Sequence, residues 1–168
     1  MSADFVVSSA HLAKSGMPEV SELEFALTMS NHAYHRWMVR CAAAAGAPGL
    51  SPLEVLVLHL VFHRDRPKTL ADICLVLNVE DTHLVSYAVK KLAGQELVST
   101  GRDGKEKTVS ITGRGSAVCT RYGELREQLL ISAMQEFGFD GADVSRLAAL
   151  LRAFSGSYDQ AARSAAAM

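Results

Sequence analysis

Residues 81–93 carry the side chains with the most specific chemistry in this chain. An apolar stripe with the helical spacing i, i+3, i+4, i+7 is predicted to face the core. The stripe consists of Val85, Ala88, Val89 and Leu92. The opposite face offers hydroxyl, imidazole and ammonium groups, which can hydrogen-bond to base edges in the major groove of DNA. The candidate contacts on this helix are Thr82, His83, Ser86, Tyr87, Lys90 and Lys91.

A second group of cations follows in a segment with the pattern of a β-hairpin. Leu97 and Val98 open the first strand, and residues 102–105 are predicted to form the turn, with Asp-Gly at its centre. A hairpin beside such a helix can reach the flanking phosphates or the minor groove. The candidate contacts in this wing are Arg102, Lys105 and Lys107.

The elements that would position these side chains have clear boundaries in the sequence. Ser51 and Glu54 form a capping box at the start of an apolar helix. Thr69 and Asp72 repeat that arrangement on the next helix, and Asp81 is predicted to cap the helix with the polar face. The resulting order of helix, helix, turn, helix and hairpin is typical of a winged helix-turn-helix, whose middle helix steadies the recognition helix.

Long amphipathic helices are predicted on both sides of this lobe. The first is expected to begin with Ser21 as its cap, and the last with Asp140. The fold class is therefore mainly α with a small β-hairpin wing, a winged helix-turn-helix flanked by long N- and C-terminal dimerisation helices. The predicted organisation is an N-terminal arm (1–20), dimerisation helix 1 (21–50), the winged helix-turn-helix DNA-binding lobe (51–112) and C-terminal dimerisation helices (113–168), in a single structural domain.

Composition and charge narrow the class of protein further. The chain has 168 residues, 49% of them hydrophobic and 21% charged, as expected for a folded globular protein. The net charge of −1 argues against DNA binding by bulk charge, although residues 85–114 contain twice as many basic as acidic side chains. The longest apolar run, residues 55–62, is too short to span a bilayer, and residues 1–5 show no signal-peptide pattern. A soluble, cytoplasmic protein without membrane contact is expected.

Four further side chains are candidates for a small-molecule site. They are His32, Trp37, His59 and His63. His59 and His63 lie four residues apart on one helix face, a spacing also found in metal-binding pairs. Hydrogen-bonded core or interface histidines are the favoured interpretation, so no metal site and no cofactor is predicted.

The cysteines leave one further possibility open. Cys41, Cys74 and Cys119 are odd in number and form no CxxC pair, which favours a reducing compartment over a disulfide framework. Cys74 lies on an inward stripe and is predicted to be inert. Cys41 and Cys119 lie near arginines in the sequence, and a cationic neighbour can activate a thiol for oxidant sensing.

Residues 51–135 resemble the MarR family of bacterial transcription regulators. The matching segments are SPLEVLVLHLVFHRD, TLADICLVLNV, LVSYAVKKLAGQELV and KTVSITGRG. The resemblance implies a homodimer built by the outer helices, with two recognition helices reading a pseudo-palindrome in double-stranded DNA. It also implies a ligand pocket between the dimer helices and the DNA-binding lobe. Two segments depart from the family pattern: the wing tip at 101–107 lacks an Asp-Arg-Arg-like sequence, and the turn before the recognition helix is longer and includes Glu80.

The sequence thus predicts a sequence-specific DNA-binding transcription regulator, a homodimeric repressor modulated by a small ligand. No phosphate loop, GxSxG elbow or paired-carboxylate motif is present, so enzymatic activity is not expected. One alternative is a winged-helix module for protein interaction or dimerisation without DNA binding, which the near-neutral charge and Glu80 favour. A second alternative is a metal- or oxidant-sensing regulator.

Overall fold

Helices make up most of the protein in the computed structural model, which describes residues 5–14 and 16–168, without the side chain of Asp65. In chain order the elements are α1 (Pro18–Ala44), α2 (Pro52–Phe62), β1 (Lys68–Thr69), α3 (Leu70–Leu77), α4 (Thr82–Gly94), β2 (Val98–Asp103), β3 (Glu106–Ile111), α5 (Gly113–Arg126), α6 (Ser132–Glu136) and α7 (Gly141–Ala165). A 3-10 turn (His63–Asp65) follows α2, and a π-helical turn (Glu127–Ile131) joins α5 to α6. The predicted fold class is confirmed.

The chain divides into two compact units. The N-terminal unit is Met1–Glu124, and the C-terminal unit is Leu125–Met168. The N-terminal unit contains α1 to β3 and most of α5, and therefore all the predicted DNA contacts. The predicted domain boundaries and the dimerisation role of the outer helices stay predictions.

The helix starts predicted around the recognition helix are confirmed. The Ser51 hydroxyl accepts from the Glu54 N–H at 3.3 Å, and the Glu54 carboxylate accepts from the Ser51 N–H at 2.6 Å. Thr69 and Asp72 form the same reciprocal pair at the start of α3. Asp81 caps α4 by accepting from the His83 N–H at 2.8 Å. These local bonds satisfy backbone N–H groups that the first helical turn leaves free.

The cap predicted for the first helix, Ser21, lies four residues after the observed one, Met17. The helix α1 begins at Pro18, and Ser21 lies inside it, buried and without a hydrogen-bond partner for its hydroxyl among the described residues. A proline in the first turn has the helical φ already and lacks only an N–H that would be unpaired there. Residues 1–4 and 15 of the predicted arm lie outside the described residues.

A three-stranded antiparallel sheet has the order β1-β3-β2, and β1 was not predicted. Lys68 of β1 is only 5% exposed, and its ammonium group donates to the carbonyl oxygens of His63 and Arg66 at 2.9 and 2.8 Å.

The turn between β2 and β3 is displaced by one residue from the prediction. Its two loop residues are Gly104 and Lys105 rather than Asp-Gly, and the positive φ of 58° at Gly104 suits the first position of a primed hairpin turn.

The core of the N-terminal unit is formed by α2, α3, α4 and the sheet, with buried side chains added by α1 and α5. All four side chains of the predicted inward stripe of α4 are buried. Gly115 closes one edge of this core, because a Cβ there would collide with the Leu97 carbonyl oxygen and lie 2.7 Å from Cδ1 of Ile111. The fully buried side chains include Val55, Val57, Leu58, Val61, Ile73, Val85, Val89, Leu92, Leu97 and Val109.

The C-terminal unit presents its apolar side chains differently. Every residue of α7, all of them described, is half-buried or exposed. Large apolar side chains are exposed along this unit at Leu129, Phe137, Phe139, Val144, Leu147, Leu150 and Tyr158. No helix in the described part of the chain is long and apolar enough to cross a membrane.

Candidate nucleic-acid interface

The helix α4 exposes the face that the sequence predicted. Thr82, His83 and Lys90 are exposed, Ser86 is half-buried, and Tyr87 is 71% exposed. Because the opposite stripe is buried, these side chains share the outward face of a helix that is fixed on the core.

Lys91 has a different position from its neighbour Lys90. Its ammonium group lies 2.9 Å from a carboxylate oxygen of Glu54 and donates to the Gly49 carbonyl oxygen at 2.6 Å. Gln95 adds a bond of 3.4 Å to the carbonyl oxygen of Pro48. The C-terminal half of α4 is thereby attached to the start of α2, and Lys91 serves this attachment. Sequence reasoning missed it because its partners lie about forty residues away, beyond the reach of local patterns.

The wing brings its cations to one face of the hairpin. Arg102 is paired directly with Lys107 across the two strands, and Asp103 with Glu106. Successive residues of a strand point to opposite faces, so the two cations lie on one face and the two carboxylates on the other. An open groove on the wing is lined by Thr100, Gly101, Arg102, Lys105 and Lys107.

The pairing of Arg102 with Lys107 has an energetic cost. Like charges directly opposite each other in an antiparallel pair are destabilising. Both side chains are exposed, and no ion pair between described residues involves either of them. An anion such as a phosphate group bound between them would relieve the repulsion, so the wing has the electrostatics of an anion-binding surface.

The connection between the wing and α5 is held by Thr112, which sequence reasoning did not single out. The Thr112 hydroxyl donates to the carbonyl oxygens of Glu96 and Leu97 at 2.7 and 2.9 Å, and it accepts from the Gly115 N–H at 3.0 Å. Glu96 has a φ of 59°, an unusual conformation for a residue other than glycine. The hydroxyl therefore fixes the loop that joins α4 to the wing.

A second open cavity involves two of the four predicted ligand residues. Its lining residues are His59, Phe62, His63, Arg64, Ile111, Thr112, Gly113 and Ser116. The His59 ring lies 4.4 Å from that of Tyr122, which in turn lies 6.4 Å from Trp37. Burial lowers the pKa of His59, so the neutral imidazole is favoured. His32 is exposed on α1 and is not among the lining residues.

The cysteines are all buried thiols. Burial raises the pKa of Cys41, and it raises the pKa of Cys119 to about 12. The thiolate is the reactive form, so this environment opposes oxidant sensing at neutral pH.

Among the described residues, no group of three or more His, Cys, Asp or Glu is positioned to hold a metal ion.

Comparison with known proteins places this geometry in a known fold. A family model for the winged helix DNA-binding domain matches residues 50–115. A MarR mutant from E. coli, solved in complex with operator DNA, is 19% identical, with coverage of 84% of this chain and 99% of that chain and a TM-score of 0.67. NMB1585, a MarR family regulator from Neisseria meningitidis, is 19% identical, with coverage of 84% and 94% and a TM-score of 0.66. A MarR family transcriptional regulator from Rhodococcus sp. RHA1 is 14% identical, with coverage of 84% and 95% and a TM-score of 0.63. No curated protein matches the chain.

Two statements follow from these similarities. Residues 50–115 form a winged helix domain. Over 84% of its length the chain shares the fold of the MarR-type transcription regulators, as the resemblance of residues 51–135 predicted.

Proposed function

We propose that this protein is a MarR-family transcription regulator that binds double-stranded DNA sequence-specifically. The observation that carries the proposal is the exposed polar face of α4 beside a wing with two directly opposed cations. An α-helix of this kind fits the major groove, and wing cations contact phosphates. The proposed contacts are Thr82, His83, Ser86, Tyr87, Lys90, Arg102, Lys105 and Lys107. Lys91 is omitted because its ammonium group is engaged by Glu54 and Gly49.

Binding to the DNA upstream of the protein's own gene tests this proposal. The double variant Lys90→Ala with Lys105→Ala removes one cation from α4 and one from the wing. We expect at least a tenfold weaker affinity and a shallower salt dependence, by roughly one unit of slope for each phosphate-contacting lysine removed. Lys14→Ala with Arg36→Ala is the matched control, because it changes the charge equally at exposed positions outside the winged helix. Unchanged promoter binding by the first variant would contradict the proposed contacts.

We also propose that the protein acts as a homodimer. The large apolar side chains along α7 are exposed in the described part of the chain, and an isologous pairing of two copies would bury them. Two recognition helices would then read half-sites roughly 34 Å apart. We expect Leu147→Glu to produce monomers in sedimentation experiments, whereas Leu75→Glu, with the same charge change at an exposed leucine of α3, should leave the dimer intact. A monomeric wild-type protein at micromolar concentration would refute this part of the proposal.

A small ligand is proposed to modulate DNA binding through the cavity at His59 and His63. Phe62 offers it an aromatic surface, and Arg64 a cation, so small aromatic acids suit the lining. The single tryptophan, Trp37, reports on this region because its ring lies near Tyr122, the neighbour of His59. Titration with benzoate should change the tryptophan fluorescence and weaken DNA binding, and His63→Ala should reduce both effects. Benzoate that changes neither signal at millimolar concentration would argue against this class of ligand.

We propose that the regulator represses transcription from the cytoplasm, where its DNA partner lies. Deletion of the gene should then raise expression of a reporter fused to the promoter that the protein binds. A fall in reporter expression would identify an activator instead. That outcome would leave the proposed DNA interface unaffected.

A further inference from the structure

The outward face of α4 lacks the side chains that most often read purines. The sequence of α4, THLVSYAVKKLAG, contains no arginine, asparagine or glutamine. Arginine is the commonest partner of guanine, and asparagine and glutamine make the paired hydrogen bonds to adenine. Of the two exposed lysines of this described helix, Lys91 is engaged by Glu54 and Gly49, which leaves Lys90 for the equivalent guanine contact.

Large apolar groups are exposed where those readers are missing. Leu84 is 51% exposed and Tyr87 is 71% exposed. They lie three residues apart and are therefore neighbours on the helix surface, and Tyr87 also lies four residues after His83. Neither side chain belongs to the buried stripe of α4, so neither has a role in the core that would explain its apolar character.

One base offers a matching apolar group in the major groove. Thymine presents its C5-methyl group there, and the other three bases present hydrogen-bonding groups without a methyl. Provided that α4 enters the major groove as proposed above, we infer that this protein recognises thymine methyl groups in its half-site through Leu84 and Tyr87.

The surroundings of these two side chains favour DNA over an apolar protein surface. Lys90 is exposed on the same side of the helix, and the wing adds Arg102 and Lys107 as a directly opposed pair of cations. An apolar partner would have to desolvate these charges without compensation. A DNA backbone compensates them, while the groove floor supplies the methyl groups.

The experiment changes the DNA one methyl group at a time and leaves the protein intact. Bound duplexes are first selected from a random-sequence library, and the Kd of the selected operator is measured. Each thymine is then replaced by deoxyuridine, which lacks only the C5-methyl group. We expect about fourfold weaker binding at each contacted thymine, the effect of one buried methyl-sized group. The remaining thymines serve as internal controls.

Protein variants assign the contacts. At one operator position, Leu84→Ala should have the same Kd for the thymine and the deoxyuridine duplex. Tyr87→Ala should show the same loss of discrimination at a different position. Leu75→Ala is the matched control, because Leu75 is an exposed leucine on α3, outside the α4 face. It should retain the full discrimination. Both target side chains are exposed, and circular dichroism checks that the variants remain folded.

The possible outcomes separate this inference from the proposed function. Failure to enrich any sequence would contradict sequence-specific DNA binding itself. An enriched operator whose affinity changes by less than twofold at every deoxyuridine would overturn the inference alone. Discrimination that persists in both Leu84→Ala and Tyr87→Ala would also overturn it, since other residues would then contact the methyl groups.

Discussion

The N-terminal and C-terminal units differ in how far they bury the apolar side chains of their helices. In the N-terminal unit the apolar helix α2 has four buried side chains, and the apolar stripe of α4 is buried. In the C-terminal unit α7 is about as amphipathic as α4 and is likewise capped, by Asp140, yet Leu147 and Leu150 remain more than half exposed. The N-terminal unit therefore contains its own core, whereas α7 leaves large apolar side chains uncovered, and these form the surface that the proposed dimer would bury.

The largest effect is expected where the N-terminal core is tightest. Gly115→Ala forces a methyl group against the Leu97 carbonyl oxygen and the Ile111 side chain, so we expect a loss of about 3 kcal/mol in the free energy of unfolding. Gly123→Ala, on the same helix and with open space around its Cβ position, should instead gain up to about 1 kcal/mol. Urea unfolding measures both. Equal effects at the two glycines would mean that the core edge near Leu97 is not closely packed.

Amide exchange in the two units should depend differently on protein concentration. If α7 is covered by a second copy, each tenfold dilution lowers the stability of the dimeric arrangement by about 1.4 kcal/mol. Amide exchange of α7 should then accelerate on dilution, while exchange of α2 in the N-terminal core should stay unchanged. Exchange of α7 that is independent of concentration would indicate that the C-terminal unit is stable in a single chain.

Two adjacent lysines sharpen the description of the N-terminal unit. Lys91→Ala should reduce the free energy of unfolding by about 0.5–1 kcal/mol, the range for a partly exposed ion pair. Lys90→Ala should leave stability unchanged and weaken DNA binding, because its side chain is exposed on the proposed interface. Thermal unfolding and DNA titration of both variants give the comparison. An equal loss of stability in the two variants would contradict the structural role of Lys91.

The smallest effect concerns acid stability at the start of α3. The hydrogen bond that the Thr69 backbone N–H donates to the Asp72 carboxylate, together with side-chain hydrogen bonding to Thr69, holds the pKa of Asp72 below its usual range. A carboxyl with a lowered pKa stabilises the fold above its unfolded pKa, and this contribution is lost as the pH falls through the folded pKa. The free energy of unfolding of Asp72→Asn should therefore be lower than that of the wild type at neutral pH, and the two values should become equal in acid. Unfolding of the N-terminal unit, measured over a range of pH, should show this change. A stability difference that stays constant across the pH range would exclude the Asp72 charge as the cause of the difference.

Local sequence patterns predicted the parts of the fold that depend on neighbouring residues. The caps at Ser51, Thr69 and Asp81 involve partners at most three residues away, and each was identified correctly. The attachment of Lys91 to Gly49 was missed, because it joins positions that only tertiary folding brings together. The strand β1 was missed for a similar reason, since two residues are too few to show an alternating pattern.

The same distinction applies to the candidate site. The outward face of α4 could be predicted because the helical period sorts its residues into two faces. The pairing of Arg102 with Lys107 could not, because a displacement of the hairpin turn by one residue changes every cross-strand partner. The cavity beside His59 and His63 combines α2 with the start of α5, so the histidine spacing alone indicated only part of its lining.

Because the ammonium group of Lys68 is buried, its reaction with an acylating reagent would report on opening of the sheet. An acylating reagent needs access to a lysine nitrogen, and that of Lys68 lies inside the fold against two carbonyl oxygens. Mass spectrometry after brief acetylation should therefore find Lys90, Lys105 and Lys107 modified while Lys68 remains unmodified. Labelling of Lys68 would mark molecules in which β1 has separated from β3, and protection of the other three would map the area that DNA covers.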